Sequence, residues 1–193
     1  MGGITLDDIA AAGAFLEGHF KLSSGFHSPR YLQCALYLAD PARAEAAGRQ
    51  LGARLKSGGA KLVVAPALGG IIIGHEVARA LDLPFYFTER EEGVMSLRRG
   101  FSVEAGARVV VVEDVVTTGK STREVMDLVT TRGGIVVGVG AIVNRSGKEN
   151  PFAPVPFTSL LTVQVPTFEP DVCPLCAAGI PVVKPGSRPQ PAV

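Results

Sequence analysis

Residues 108–122, RVVVVEDVVTTGKST, decide the fold. Val109 to Val112 form an unbroken β-branched run, as expected for a strand covered on both faces in a parallel sheet rather than one with a wet side. The run leads straight into two adjacent carboxylates, Glu113 and Asp114. Gly119-Lys120-Ser121 then looks like the end of a nucleotide-binding P-loop, but the pattern GxxxxGK[ST] requires its first glycine at position 114, which is Asp114. The P-loop reading fails, and an acidic pair ahead of a hydroxyl-rich turn needs another explanation.

Outward from this stretch, β-branched segments alternate with helical ones. KLVVAPA (61–67) reads as a buried strand, 71–81 as a helix and LPFYF (83–87) as a strand. Residues 89–107 read as a long polar loop, 121–131 as a helix and GIVVGVGAIV (134–143) as another strand. Such alternation predicts an α/β domain with a parallel sheet between two helical layers. Upstream, Thr5 followed by Asp7 and Asp8 marks a helix start, with Ile9, Ala12 and Leu16 at helical spacing. HFKLSSGFHSPRYLQ (19–33) predicts a strand pair about a turn, and Pro41 opens an alanine-rich helix that ends near Gly58-Gly59. Beyond residue 150 the chain is proline-rich, with one more strand in SLLTVQV (159–165) and a loosely ordered tail at 186–193.

A chain of 193 residues with 47% hydrophobic and 19% charged residues can bury a full core. Its formal net charge of +1 and lack of a basic run give nucleic-acid binding no support. No apolar segment is long enough to span a membrane, and no basic leader precedes one, so a cytoplasmic location is expected. The odd cysteine count, Cys34, Cys173 and Cys176, argues against a secreted disulfide scaffold.

In open parallel sheets, ligands bind beyond the carboxyl ends of the strands, where Glu113 and Asp114 fall. Adjacent carboxylates suit a vicinal diol, and the turn Thr117-Thr118-Gly119-Lys120-Ser121 entering a helix suits a phosphate. Together they suggest a ribose 5-phosphate. VVVVEDVVTTGKST (109–122) resembles the phosphoribosyl pyrophosphate (PRPP) motif of type I phosphoribosyltransferases. The resemblance implies that family's fold: a central, mostly parallel sheet flanked by helices, with a small hood over the base site. The hood would comprise about 1–40 and 150–185, and the PRPP-binding core about 41–149. It also implies that Glu113 and Asp114 hold the ribose hydroxyls, with the following loop around the 5-phosphate. APALGGIIIGHEVA (65–78) matches the pyrophosphate loop, with Ala67, Leu68, Gly69 and Gly70 at its turn.

HFKLSSGFHSPRYLQC (19–34) is similar to the N-terminal segment of orotate phosphoribosyltransferases. It would set Ser23, Ser24, Gly25 and Tyr31 against the base, with Thr117 nearby. Arg145, in AIVNRSGKE (141–149), occupies the family's late base-reaching position. FTEREEGVMSLRRGF (87–101) takes the place of the mobile catalytic loop, and GVMSLRRGF with the late CPLC is most similar to the Thermus-type branch. The family's loop often carries a lysine treated as catalytic. Here 89–107 contain none, so Arg90, Arg98 and Arg99 are expected to replace it, with an electrostatic role for Arg98 and Arg99. A lysine frequent in the pyrophosphate loop is replaced by Gly69. Further implications are Mg²⁺ carried by PRPP rather than by protein side chains, and a homodimer with shared active sites. PRPP and orotate would be the substrates, and nucleic acid and membrane no partners. The rival readings are a purine phosphoribosyltransferase and a non-catalytic PRPP-sensing regulator.

His75-Glu76 begins like HExxH, but Arg79 stands at the second histidine position. Gly138-Val139-Gly140 lacks the third glycine of a dinucleotide fingerprint. Cys173 and Cys176 have zinc-knuckle spacing, yet a structural zinc needs four ligands. Two chains of a dimer could supply four cysteines, His19 and His27 could contribute, or the pair could be two reduced thiols. For His19 and His27 the alternatives are the base site or a structural or exposed role.

Overall fold

The structure is a computed structural model and describes residues 3–22 and 24–184. Ser23 and the tail at 186–193 therefore lie outside the described residues. Helix α1 (Leu6–Ala11) starts at the expected cap: the Thr5 hydroxyl accepts from the Asp8 N–H, and the Asp8 carboxylate accepts from the Thr5 N–H. It ends sooner than the apolar spacing suggested. Gly13, at φ 68, turns the chain, and Leu16 belongs to strand β1 (Phe15–Lys21), not to the helix. β1 pairs antiparallel with β2 (His27–Leu32) as a separate two-stranded sheet. A short helix α2 (Cys34–Leu38), which the sequence reading did not foresee, leads to α3 (Pro41–Leu55), capped by the Asp40 carboxylate.

The core sheet contains β3 (Leu62–Pro66), β4 (Phe85–Glu91), β5 (Val94–Leu97), β6 (Arg108–Val116), β7 (Ile135–Asn144) and β8 (Phe157–Thr162). Their order is β5-β4-β3-β6-β7-β8, parallel throughout except for β5. Residues 157–162, expected in the hood, are instead an edge strand of this sheet. The valine run behaves as its composition requires. Val110 and Val112 enter one core with Ala47 and Leu51 of α3 and Ile73 and Val77 of α4 (Gly70–Leu81). Val109 and Val111 enter the other with Val125 and Val129 of α5 (Lys120–Thr131). All four valines are fully buried, each contributing about 1.5–3 kcal/mol of apolar burial.

The expectation of a long polar loop at 89–107 is overturned for its first half. β4 runs to Glu91 and returns as β5 through Glu92 and Gly93, at φ 50 and 85, the positive dihedrals of a two-residue hairpin turn. Arg99 and Gly100, at φ 59 and 79, make a second tight turn closed by the Phe101 N–H donating to the Arg98 carbonyl. Gly93 and Gly100 thus serve as turn residues here. Met95 is buried in the α5-side core, and Phe101 stacks on Tyr86 at 4.6 Å, which anchors the segment.

Candidate active site

The strand order reverses between β3 and β6: β3 leads to β4 on one side, while β6 leads to β7 on the other. A crevice opens at such a switch point, beyond the strand ends. Two turns meet there, the 67–69 loop after β3 and the 117–119 loop after β6. Gly69 fits because it has no side chain; a Cβ there would lie 2.7–2.8 Å from the carboxylate atoms of Asp114. The acidic pair and the loop read as the pyrophosphate loop are therefore in direct apposition.

Glu113 is buried, and its carboxylate accepts from the Asp114 N–H at 3.2 Å. Burial, and secondarily the Asp114 carboxylate beside it, holds the Glu113 pKa well above the ordinary glutamate range. Asp114 is half-buried and accepts from the Val115 N–H at 2.8 Å. Among the described residues, no Lys, Arg or His forms an ion pair with either carboxylate.

Two cavities adjoin along this edge. One, of about 470 Å³, is lined by Glu113, Thr117 to Ser121, Ser24 and Arg90. It contains the N-terminus of α5, whose free N–H groups attract an anion. Gly119, at φ 72, makes the turn into the helix, and a Cβ there would meet the Phe152 ring at 2.9 Å. Arg123 braces the loop, donating to the Thr118 carbonyl at 2.7 Å and the Pro151 carbonyl at 2.8 Å while lying over Phe152. The second cavity, of about 290 Å³, is lined by Asp114, Thr117, Thr118, Ser24, Tyr31 and Arg145, together with Lys21, Gln33 and Lys184. Thr117, like Ser24, Val115 and Thr118, lines both cavities. The Arg145 Nε is buried without a hydrogen-bond partner among the described residues, and burial lowers the guanidinium pKa. Burial, then the Asp114 charge, raises that of the Tyr31 phenol.

Glu113, Asp114, Thr117 to Ser121, Ser24, Tyr31, Arg90 and Arg145 all line one or both cavities. Gly25 supports the Ser24 turn at φ 89, its N–H donating to the Leu22 carbonyl. Leu68 is 85% exposed at the mouth of the 67–70 loop. Arg98 and Arg99 are not brought into either cavity. Arg98 pairs with Glu91 at 3.5 Å, and Arg99 makes a fork to both oxygens of Glu89 at 2.9 Å. Arg90, on the same hairpin, does reach the larger cavity and pairs with Glu124 of α5. His75 lines neither cavity and packs edge-on against Phe85. A further cleft of about 470 Å³ between α3 and α4 shares no residue with the site, and Glu45 pairs there with Arg49 and Arg79.

Sequence reasoning missed Lys21, Gln33 and Lys184 in the smaller cavity, and the brace formed by Arg123 and Phe152. Lys21 had a signal, since it directly precedes the Ser-Ser-Gly turn. Lys184 had none, because it stands in a proline-rich end that pattern reading assigns to a loose tail.

A parallel sheet with an acidic pair at its switch point, a phosphate-type turn beside it and a cationic pocket next door defines a type I phosphoribosyltransferase fold. The profile of the family described as phosphoribosyl transferase domain matches residues 37–155, and the chain belongs to that family. It is 58% identical over 177 residues to an orotate phosphoribosyltransferase of Carboxydothermus hydrogenoformans, covering 91% of this chain and 92% of the relative. It is 52% identical over 189 residues to one of Pelotomaculum thermopropionicum, covering 96% and 99%. Among solved structures, an orotate phosphoribosyltransferase from Aeropyrum pernix superposes with a TM-score of 0.68 at 25% identity, covering 81% of this chain and 92% of that one. An adenine phosphoribosyltransferase from Thermoanaerobacter pseudethanolicus gives 0.68 at 18% identity, covering 82% and 100%, a likeness that speaks to fold alone.

Proposed function

We propose that this chain is an orotate phosphoribosyltransferase, transferring the 5-phosphoribosyl group of PRPP to orotate to give orotidine 5-monophosphate and pyrophosphate in pyrimidine synthesis. The observation that carries the choice of base is the smaller cavity. Three cations, Lys21, Arg145 and Lys184, converge on it, and one buried guanidinium N–H has no partner. A base bearing a carboxylate satisfies such a pocket; adenine or xanthine, which lack one, would leave the half-buried Arg145 guanidinium without an anionic partner, while Lys21 and Lys184 are exposed. The relatives that are 50–58% identical carry the same name. No sequence feature supports a DNA-binding module, and the regulator reading has no support from the site.

In this reading the 5-phosphate sits on the 117–121 turn at the α5 N-terminus, and Glu113 and Asp114 accept from the ribose hydroxyls. The backbone of 67–70 faces the pyrophosphate. The ring nitrogen of orotate forms a bond to the anomeric carbon as the bond to pyrophosphate breaks, through an oxocarbenium-like centre, and the ring-nitrogen proton leaves to the departing pyrophosphate or to water. The protein's task is to orient the partners and to stabilise the charge developing on the leaving group. Arg90 is the loop cation this chain offers its own site. Arg98 and Arg99 act on the neighbouring subunit of a homodimer, through electrostatics, since arginine keeps its proton.

The metal implied by the family is Mg²⁺, carried by PRPP. The acidic pair fits it: Asp114 would offer hard oxygen atoms beside Gly69, and among the described residues no protein cation pairs with them. When bound, Mg²⁺ supplies charge neutralisation on the diphosphate. The hood is residues 1–40 and 150–185 without β8, the PRPP-binding core is 41–149 with β8, and the enzyme is cytoplasmic. Among the described residues no helix is long and apolar enough to cross a membrane. The test is the Glu113→Gln, Asp114→Asn double variant: turnover should vanish while the protein stays folded and melts no lower than the parent. Near-normal turnover would remove the ribose assignment.

A further inference from the structure

The hood contains a second cluster of chemically active side chains that the transfer reaction does not use. His19 of β1, His27 of β2, and Cys173 and Cys176 around the short helix α6 (Pro174–Ala177) converge so that their potential ligand atoms all lie within 4.8 Å of one another. His19, His27 and Cys173 are 2%, 6% and 2% exposed while Cys176 is exposed, so three of the four ligands are interior and the cluster opens to solvent on the Cys176 side. The edges are short and mutual. His19 Nε2 lies 2.9 Å from His27 Nδ1, 3.6 Å from Cys173 Sγ and 3.7 Å from Cys176 Sγ; Cys176 Sγ lies 3.2 Å from His27 Nδ1.

A second observation points to a ligand. His19 Nδ1 stands 2.7 Å from the Ile180 carbonyl oxygen, which can only accept. Neutral His19 must therefore carry its proton on Nδ1, which turns the lone pair of Nε2 into the cluster. A backbone carbonyl that fixes the tautomer of an imidazole is the usual support behind a metal-binding histidine.

We propose that His19, His27, Cys173 and Cys176 of one chain bind a structural Zn²⁺. Two thiolates and two imidazoles are a donor set for a closed tetrahedral zinc site, and bonds of about 2.0–2.3 Å would set the ligand atoms roughly 3.3–3.8 Å apart. The edges from His19 Nε2 to the two sulfurs, 3.6 and 3.7 Å, already match; the two ring nitrogens need to part by roughly 0.4 Å, the Cys176–His27 edge of 3.2 Å needs to lengthen slightly, and the widest edge, within 4.8 Å, needs to close around the ion. Binding releases the thiol protons of Cys173 and Cys176 to solvent, and the dication with two thiolates is neutral, as an interior site requires. All four ligands come from one chain, so the arrangement that pools cysteines from two subunits is not needed.

The site would tie the β1–β2 hairpin to the C-terminal segment. That segment otherwise holds on through few main-chain bonds, among them Lys21 with the Val183 carbonyl and His27 with Phe168 in both directions. Lys21 and Lys184, at the two sides of this junction, line the smaller cavity. The zinc would therefore clamp the roof of that cavity while standing apart from the reacting atoms.

The experiment uses the full chain purified without a histidine tag, with metal content measured by elemental mass spectrometry. About one zinc per chain is expected, falling below about a tenth in Cys173→Ser, Cys176→Ser, while Cys176→His, which keeps a ligand, retains it. Refilling the stripped protein with Co²⁺ should give the visible bands of a four-coordinate site and a thiolate charge-transfer band, and refilling with Zn²⁺ should raise the melting temperature by about 5–15 °C. These readouts are independent of turnover, so they fail or succeed apart from the orotate reading. A wild-type chain that stays metal-free after zinc addition, with both thiols titrating freely, would overturn the proposal. So would half an equivalent per chain, or zinc retained by the double-serine variant.

Discussion

Replacing Arg145 by leucine separates the two things a half-buried cation can do. The Arg145 backbone is held independently of its side chain, its N–H donating to the Val116 carbonyl at 2.8 Å. The side chain projects into the smaller cavity, with a buried Nε that has no partner among the described residues. If that atom awaits orotate, Arg145→Leu removes one or two charge-assisted hydrogen bonds worth about 1.5–3 kcal/mol to the bound base. At about 1.4 kcal/mol per factor of ten, KM for orotate should rise roughly 10–150-fold. KM for PRPP should change by less than about threefold, since its groups contact other residues. The same change removes a half-buried charge with no ion-pair partner among the described residues, so the free protein should melt at the same temperature or higher. Steady-state kinetics with each substrate varied in turn, beside calorimetry, reads all three. Equal rises in both KM values, or a variant that melts several degrees lower, would refute the reasoning: Arg145 would then be a structural cation, not a base contact.

Glu113 gives a pH prediction. Its folded pKa is raised above the ordinary value of 4.5, so the protonated form favours the fold. That contribution is fully present below the unfolded pKa and is lost as pH rises through the folded one. Glu113→Gln should therefore flatten the decline in melting temperature above about pH 5 and, at pH 8, melt roughly 2–4 °C higher than the parent for each kcal/mol recovered, with PRPP turnover lost. A calorimetric pH series showing parallel curves would contradict this. Arg98→Ala should lower kcat about 10–100-fold with little effect on orotate binding, because the contact forms on closure. Mixed with inactive Asp114→Asn, it should recover about a quarter of normal turnover, since half of randomly re-paired dimers are hybrids with one intact site. No recovery despite demonstrated subunit exchange would place the loop's action within its own chain.

The core was legible because its signals are local. Four valines in a row, two acids at their end and a Thr-Thr-Gly turn each have few structural solutions, and they define strand, strand end and phosphate turn together. The β4–β5 hairpin was hidden because Glu89, half-buried, and Arg90 and Glu91, exposed, are strand residues whose charges mimic a loop. Only Met95 and Leu97 pack inward, too few to show alternation. β8 was placed in the hood because a strand that pairs along an edge shows its length but not its neighbour. Lys21 and Lys184 are 163 residues apart, and the parallel bridge between Phe20 and Val183 helps bring them to one cavity. Likewise, CPLC offered two ligands, and it took the β1–β2 pairing to deliver the other two.

One side-by-side turnover measurement tests the central claim: purified chain, PRPP and Mg²⁺, with orotate, adenine or xanthine as acceptor, following base consumption and pyrophosphate release together. The cationic cavity predicts stoichiometric conversion with orotate, and rates at least about 10²-fold lower with either purine. Faster conversion of adenine or xanthine than of orotate, or no turnover with any of the three, would contradict the account.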